Sequence, residues 1–335
     1  MDLYPLTFEP IYMPKVWGDR KLLGLGRPVP EGPAVGESWE LADVPAPTPA
    51  RSIVSNGPLA GRTLHDLIGQ LGEQLIGHVP LAETGDFPML FKYLDAAANL
   101  SVQVHPDEDY AATHPGVTVQ TESWYVVAAD PGSVIYKGVQ PQVSADEFRA
   151  AIDAGAVANL LIEVPAIPGQ AHHIPAGCCH ALGAGVLVAE AQTCGNTTFR
   201  AHDWNRTDRE IHVEQAMQCI QFGPAGENHA ERRTKIENAD TCVTRVIGCE
   251  QYRIEEMKLA AGYTQSVATA EPIVWMVIDG HAKLLCDHVR GEDVSLKALS
   301  TVLIPPALPD MHLVVEEDVT LLAISFPQAL ANVIA

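Results

Sequence analysis

At 335 residues, with 47% hydrophobic and 19% charged content, the chain is long enough for a large core, and this ordinary globular composition excludes intrinsic disorder. A formal net charge of −21, with no basic cluster longer than Arg232 to Lys235, argues against a nucleic-acid partner. Seven cysteines without a C-x-x-C pair suit a reducing compartment, and no basic leader or membrane-length apolar run is present, so the expectation is a cytoplasmic protein with no membrane partner, as a monomer or homodimer.

Residues 1 to 60 are rich in Pro and Gly, with strand-like pieces at Ser38 to Ala42 and Arg51 to Val54, a loop at Pro45 to Ala50 and a turn at Asn56-Gly57. From Thr63 the period changes. Leu64, Leu67, Ile68, Leu71, Leu75 and Ile76 fall at helical spacing behind a Thr63/Asp66 cap, predicting a helix over 63–77. Ser144 with Glu147 predicts a second helix that extends over 144–161, and Ile211 to Ile220 a third.

Around these helices lie short apolar, β-branched runs: Phe87 to Leu94, Leu100 to His105, Glu122 to Ala128, Val134 to Tyr136, Ala171 to Ile174, Gly185 to Ala189 and Thr197 to His202. Many short strands between turns predict a mainly β protein, a sandwich or jelly roll with a few inserted helices. Phe222 to Ala230 is the best linker candidate. A second strand-rich block follows from Thr241, with runs at Ile273 to Ile278, Ala282 to Cys286 and Leu313 to Ser325 and a turn at Asp279-Gly280. The expected organisation is therefore a catalytic domain over 1–222, a linker over 223–240 and a C-terminal β domain over 241–335, whose scattered histidines (281, 288 and 312) assign it a structural role.

The chemistry gathers in the first block. Gly169 to His180 reads as a strand, a sharp Pro175-Ala-Gly177 turn, and a histidine aimed back into a barrel. Gln103 and His105, two apart, leave the same face of a strand. With Glu122 and His180 they supply an amide oxygen, a carboxylate and two imidazoles, a set that suits zinc and also accepts Mn, Fe, Co or Ni. A lone histidine in a β core is usually only hydrogen-bonded; the joint pattern favours a metal. Cys178 and Cys179 read as small buried thiols, and of His172 and His173 one is expected to face the pocket. Arg200 reads either as an ion-paired arginine or as a cation for a developing oxyanion. Lys92, inside Phe87 to Asp95, either snorkels or serves a polar cavity.

These pieces resemble the type I phosphomannose isomerases in their short bacterial form. The resemblance rests on Trp17-Gly18, Gly36-Glu-Ser-Trp-Glu40, Phe87 to Lys92, Leu100-Ser-Val-Gln103-Val-His105-Pro-Asp, Thr121-Glu122-Ser-Trp-Tyr-Val, Ile174 to Gly183, and Thr198-Phe-Arg200 leading to Asp203-Trp-Asn-Arg206. It implies two cupin jelly rolls, one Zn2+ on Gln103, His105, Glu122 and His180, and interconversion of mannose 6-phosphate, a sugar phosphate, with fructose 6-phosphate through an enediol. It places the active-site arginine at Arg200 and a candidate base at Glu190, with Lys92 as a further catalytic candidate, and Lys92, Trp17, Gln120 and His202 towards the substrate. The departures are Gln120 where the family usually has lysine, His202 where an aromatic is common, and His172 and His173 in place of apolar or aromatic residues. They leave open a related isomerase or epimerase for another, possibly unphosphorylated sugar, and a non-catalytic sugar-binding cupin.

Overall fold

In the computed structural model, residues 2–45, 50–195, 197–225, 233–287 and 293–327 are described. His288, Arg232, the tip of the Pro45 to Ala50 loop and the middle of the expected linker lie outside them. Every strand pairing is antiparallel, as expected for apolar–polar alternation between turns.

The first jelly roll has two facing sheets. The larger orders its strands as Ala171–Ile174, Glu122–Ala129, Val186–Thr193, Met89–Asp95, Val35–Leu41 and Ile11–Asp19. The smaller runs Leu161–Pro165, Val134–Val139, His180–Leu182, Val102–Val104 and Phe199–His202. Trp17, Leu94, Trp124, Ile135, Leu182 and Val188 fill part of the space between them.

The second jelly roll pairs Thr264–Val267, Met311–Val315, His281–Cys286 and Val294–Lys297 in one sheet. Its larger sheet contains Thr301–Ile304, Ile273–Asp279, Val319–Ser325, Arg253–Leu259, Thr241–Gly248 and Arg233–Glu237. One edge of that sheet is completed by Leu6–Thr7 from the start of the chain, with Leu6 opposite Leu303. The two halves share a core: Tyr93, Tyr125, Leu187 and Ala191 of the first bury against Tyr252, Ile254, Val274 and Met276 of the second.

Several expected elements change at their ends. The 63–77 helix is Leu64–Leu71 and Glu73–Ile76, broken at Gly72, whose φ of 51° leaves the helical region. The 144–161 helix ends at Asp153, and a short 3-10 turn, Val157–Leu160, follows Gly155 at φ 67°. Leu313 to Ser325 is two strands separated by the Glu316 to Asp318 turn. The strand Ile11–Asp19 and the short helices Lys21–Gly24 and Glu108–Thr113 were not foreseen. Arg233–Glu237, inside the range assigned to a linker, is an edge strand.

Candidate active site

Strand alternation and register build the site. In the larger sheet Glu190 sits opposite both Lys92 and Trp124, Lys92 opposite Trp39, and Gln192 opposite Glu122. In the facing sheet Gln103 sits between His180 and Arg200. Directly opposed residues share a sheet face, so both rows point into the space between the sheets.

His105, Glu122 and His180 each offer a ligand atom within 4.8 Å of the others, and all three are buried. His105 Nε2 lies 3.3 Å from Glu122 Oε2, and His180 Nε2 lies 3.2 Å from Glu122 Oε1. The outer ring nitrogens are anchored: His105 Nδ1 donates to Thr197 O and His180 Nδ1 to Cys178 O, both at 2.9 Å. That fixes the tautomer and turns the bare Nε2 atoms inward. Burial also pushes His180 down to about 4, despite the opposing pull of Glu122, so its ring is neutral near pH 7. Burial pushes Glu122 up, but His105 and His180 outweigh it and hold the carboxyl well below the ordinary range.

The result is a convergence of lone pairs. His180 Nε2 and Glu122 Oε1 are both acceptors, and Glu122 Oε1 receives no hydrogen bond. Buried acceptors held this close suit a cation between them. The observed 3.2–3.3 Å separations match the edge of a tetrahedron with metal bonds of about 2.0–2.1 Å. Gln103 Nε2 stands 3.2 Å from His180 Nε2, and Ser101 Oγ donates to Gln103 Oε1 at 3.1 Å. The amide is at the same point, and its oxygen reaches that point by a flip about the last side-chain bond.

Next to this cluster runs a chain of opposite charges. Lys92 Nζ is 3.0 Å from Glu190 Oε2 and 3.9 Å from Glu37 Oε2, and Lys15 Nζ is 2.9 Å from Glu37 Oε1. Indole donors fix the carboxylates: Trp124 Nε1 bonds Glu190 at 3.2 Å and Trp39 Nε1 bonds Glu37 at 2.7 Å. Burial would discharge Lys92, but Glu190 and Glu37 outweigh it and raise its pKa, so it stays charged. Burial, reinforced by Glu122 and opposed by Lys92, pushes Glu190 well above the ordinary carboxylate range.

A cavity of about 180 Å³ connects these groups, with Trp17, Lys92, Gln103, His105, Gln120, Glu122, Glu190 and Arg200 in its wall. Lys92 thus serves a polar cavity rather than snorkelling. Arg200 NH1 donates to Glu210 O at 2.6 Å, and its neighbour Arg209, held by Asp203, also lines the cavity. Gln120 touches the cluster itself, donating to Glu122 Oε2 at 2.9 Å and standing 3.1 Å from His105 Nε2.

Three expected residues lie elsewhere. His202 is not in the wall and packs edge-on against Trp204. His172 is buried beneath the site, where burial and then Lys137 lower it to about 4. His173 faces the second domain and shares the Ser123 hydroxyl at 3.0 Å. Neither His172 nor His173 reaches the cavity. Cys178 and Cys179 are buried free thiols, both raised by burial. Sequence reasoning missed Lys15, Glu37, Ser101 and Gln192 in the wall. The available signal was period two: Lys15 with Trp17, Glu37 with Trp39, Ser101 with Gln103 and Glu190 with Gln192 share strand faces with residues already singled out.

Facing antiparallel sheets with buried His, Glu and His ligand atoms at their polar end define a cupin. Residues 7–132 match the model of the phosphomannose isomerase type I catalytic domain. The chain is 31% identical over 292 residues to mannose-6-phosphate isomerase ManA of Bacillus subtilis, covering 85% of this chain and 89% of that one. It is 36% identical over 225 residues to mannose-6-phosphate isomerase of Streptococcus mutans, covering 65% of this chain and 68% of that one. The crystal structure of the Bacillus subtilis mannose 6-phosphate isomerase superposes with a TM-score of 0.85 at 26% identity, covering 97% of this chain and all of that one. The Salmonella typhimurium enzyme in its apo form shares the fold, with a TM-score of 0.72 at 16% identity over 97% of this chain and 99% of that one. The chain belongs to the type I phosphomannose isomerase family.

Proposed function

We infer that this protein is a mannose-6-phosphate isomerase, interconverting mannose 6-phosphate and fructose 6-phosphate. One observation carries the reading: a buried His105/Glu122/His180 cluster and a buried Glu190–Lys92 pair open into the same cavity. A cation-binding cluster beside a carboxylate of raised pKa is the equipment for moving a proton next to a carbonyl.

Gln103, His105, Glu122 and His180 are the residues that would hold a zinc ion. A bound divalent ion supplies charge stabilisation to oxygens of the open-chain sugar. Glu190 exchanges the proton between C1 and C2 through its carboxylate, whose pKa burial raises and so makes a stronger base than an ordinary carboxylate. Lys92, charged and 3.0 Å away, orients that carboxylate and steadies its ionised form. Arg200, on the facing sheet, offers a fixed cation to the enediol oxygens or the phosphate. Trp17 and Trp124 wall the cavity. Positive charge on Arg200 and Arg209 gives an anionic substrate a local site on a chain of net charge −21. The catalytic work belongs to the first jelly roll, residues up to about 222, and the second acts as its support.

His105→Ala is expected to lose bound metal and at least about 100-fold in turnover. Metal analysis with a coupled assay on mannose 6-phosphate checks this, and full activity in a metal-free variant overturns it. An isomerase for unphosphorylated sugars would turn over mannose in the same assay and leave mannose 6-phosphate untouched.

A further inference from the structure

The strand that supplies Glu122 is gripped from behind. Glu122 and Trp124 face the cavity, so the intervening Ser123 and the following Tyr125 face the second domain. The Ser123 hydroxyl lies 2.8 Å from Tyr252 Oη, and Tyr125 Oη donates to Glu256 Oε2 at 2.6 Å. Tyr252 is fully buried and Glu256 nearly so. On this rear face the strand's neighbours opposite Ser123 and Tyr125 are Ala191 and Ala189, whose small side chains leave room for the two tyrosine rings. A third bond, Tyr93 Oη to Val277 O at 3.2 Å, ties down the strand that carries Lys92 in the same manner.

Glu122 needs such a hold because it is the first residue of its strand. Its ladder partners, Ile174 and Gln192, lie near the ends of their own strands. The strand end is further tied by Thr121 Oγ1 donating to Ile174 O at 3.2 Å and Thr121 N to Thr193 Oγ1 at 3.1 Å. These bonds hold the backbone along the sheet. The Tyr252–Ser123 bond sits one residue from Glu122 and links the rear of the strand end to the second domain.

We propose that the second jelly roll works as a positioning element for the metal cluster, with Tyr252 acting through Ser123, and Glu256 through Tyr125, to set Glu122 against His105 and His180. The idea rests on the reading of those three residues as ion ligands. It gives the second domain, which supplies no cavity-wall residue among the described ones, a part in the reaction.

The test uses full-length Tyr252→Phe, Ser123→Ala and the double variant, loaded with Co2+ or Zn2+. Ion affinity is read by chelator competition without substrate, the Co2+ absorption band reports ligand geometry, and kcat, KM and urea unfolding are measured alongside. Each single variant is expected to bind the ion about tenfold more weakly, with a shifted Co2+ band and a lowered kcat at unchanged KM. The double variant is expected to lose no more than the worse single one, because the pair acts as one unit. Folded single variants with wild-type ion affinity and an unshifted band overturn the proposal, as do losses that add in the double variant. If Tyr252→Phe does not fold, Ser123→Ala, which leaves the tyrosine ring in place but also loses the His173 bond, is read beside His173→Phe, which is expected to keep wild-type ion affinity; an equal loss in His173→Phe overturns the proposal. An ion affinity left unchanged by His105→Ala instead overturns the ligand assignment.

Discussion

Arg200 shows how far one residue's surroundings decide its use. Burial, then Arg209, lowers its pKa, and its backbone bond to Glu210 O aims the guanidinium along the cavity wall. Arg200→Ala is expected to lower kcat by about 100-fold, the scale of losing one preorganised donor, with metal still bound. Unchanged steady-state kinetics in a metal-replete variant count against this role. Asp95 makes a separate prediction about stability. It is fully buried and accepts from Leu22 N at 3.0 Å, while its other oxygen has no partner. Burial raises it to about 6. A carboxyl raised on folding stabilises fully below its unfolded value, and that contribution is lost as pH rises through the folded one. Between about pH 4 and 6 the protein should therefore lose on the order of 2–3 kcal/mol from this group. Asp95→Asn should flatten that part of the profile, measured by urea unfolding at pH 4.5 and 8. The roles of Asp95 and Glu37 were not legible in the sequence, because burial and opposing charge come from distant strands.

At the scale of elements, the hairpin of Ile11–Asp19 and Val35–Leu41 closes one side of the cavity. Gly36 permits it: a Cβ there would stand 2.5 Å from Lys15 Cβ and 2.8 Å from the Trp17 ring. The lysine stem crosses over this bare backbone and brings Nζ to Glu37. Gly36→Ala should push Lys15 and Trp17 outward, raising KM several-fold while destabilising the fold by about 1–3 kcal/mol. A crystal structure with both side chains in place and wild-type KM contradicts this. The helix starts were legible where a side chain completes a cap within the same few residues: Thr63 accepts from Asp66 N, and Ser144 and Glu147 form a reciprocal capping box. The ends were less so. Gly72 and Gly155 interrupt helical periodicity through backbone conformations that the apolar pattern does not display.

For the whole molecule, the ligand cluster and the second domain meet the same strand from opposite sides. Stripping the metal with a chelator should abolish turnover and lower the melting temperature by several degrees, because a ligand bound only to the native state stabilises it. Far-UV circular dichroism should stay native, since the rear bonds to Tyr252 and Glu256 remain; restored zinc should recover both activity and melting temperature. A metal-stripped protein with full turnover sinks the reading. No helix among the described residues is long and apolar enough to cross a membrane. By itself the sequence determined the mainly β class and the starts of the two capped helices, and it singled out His105, Glu122 and His180 as a group, because alternation, caps and i, i+2 spacing are written in neighbouring positions. Only the tertiary structure decided that Lys92 pairs with Glu190, that His172, His173 and His202 stay out of the cavity, and that the chain's first strand joins the last domain. Those outcomes depend on register between strands up to about 300 positions apart, where Leu6 meets Leu303, and sequence spacing carries no record of such distances.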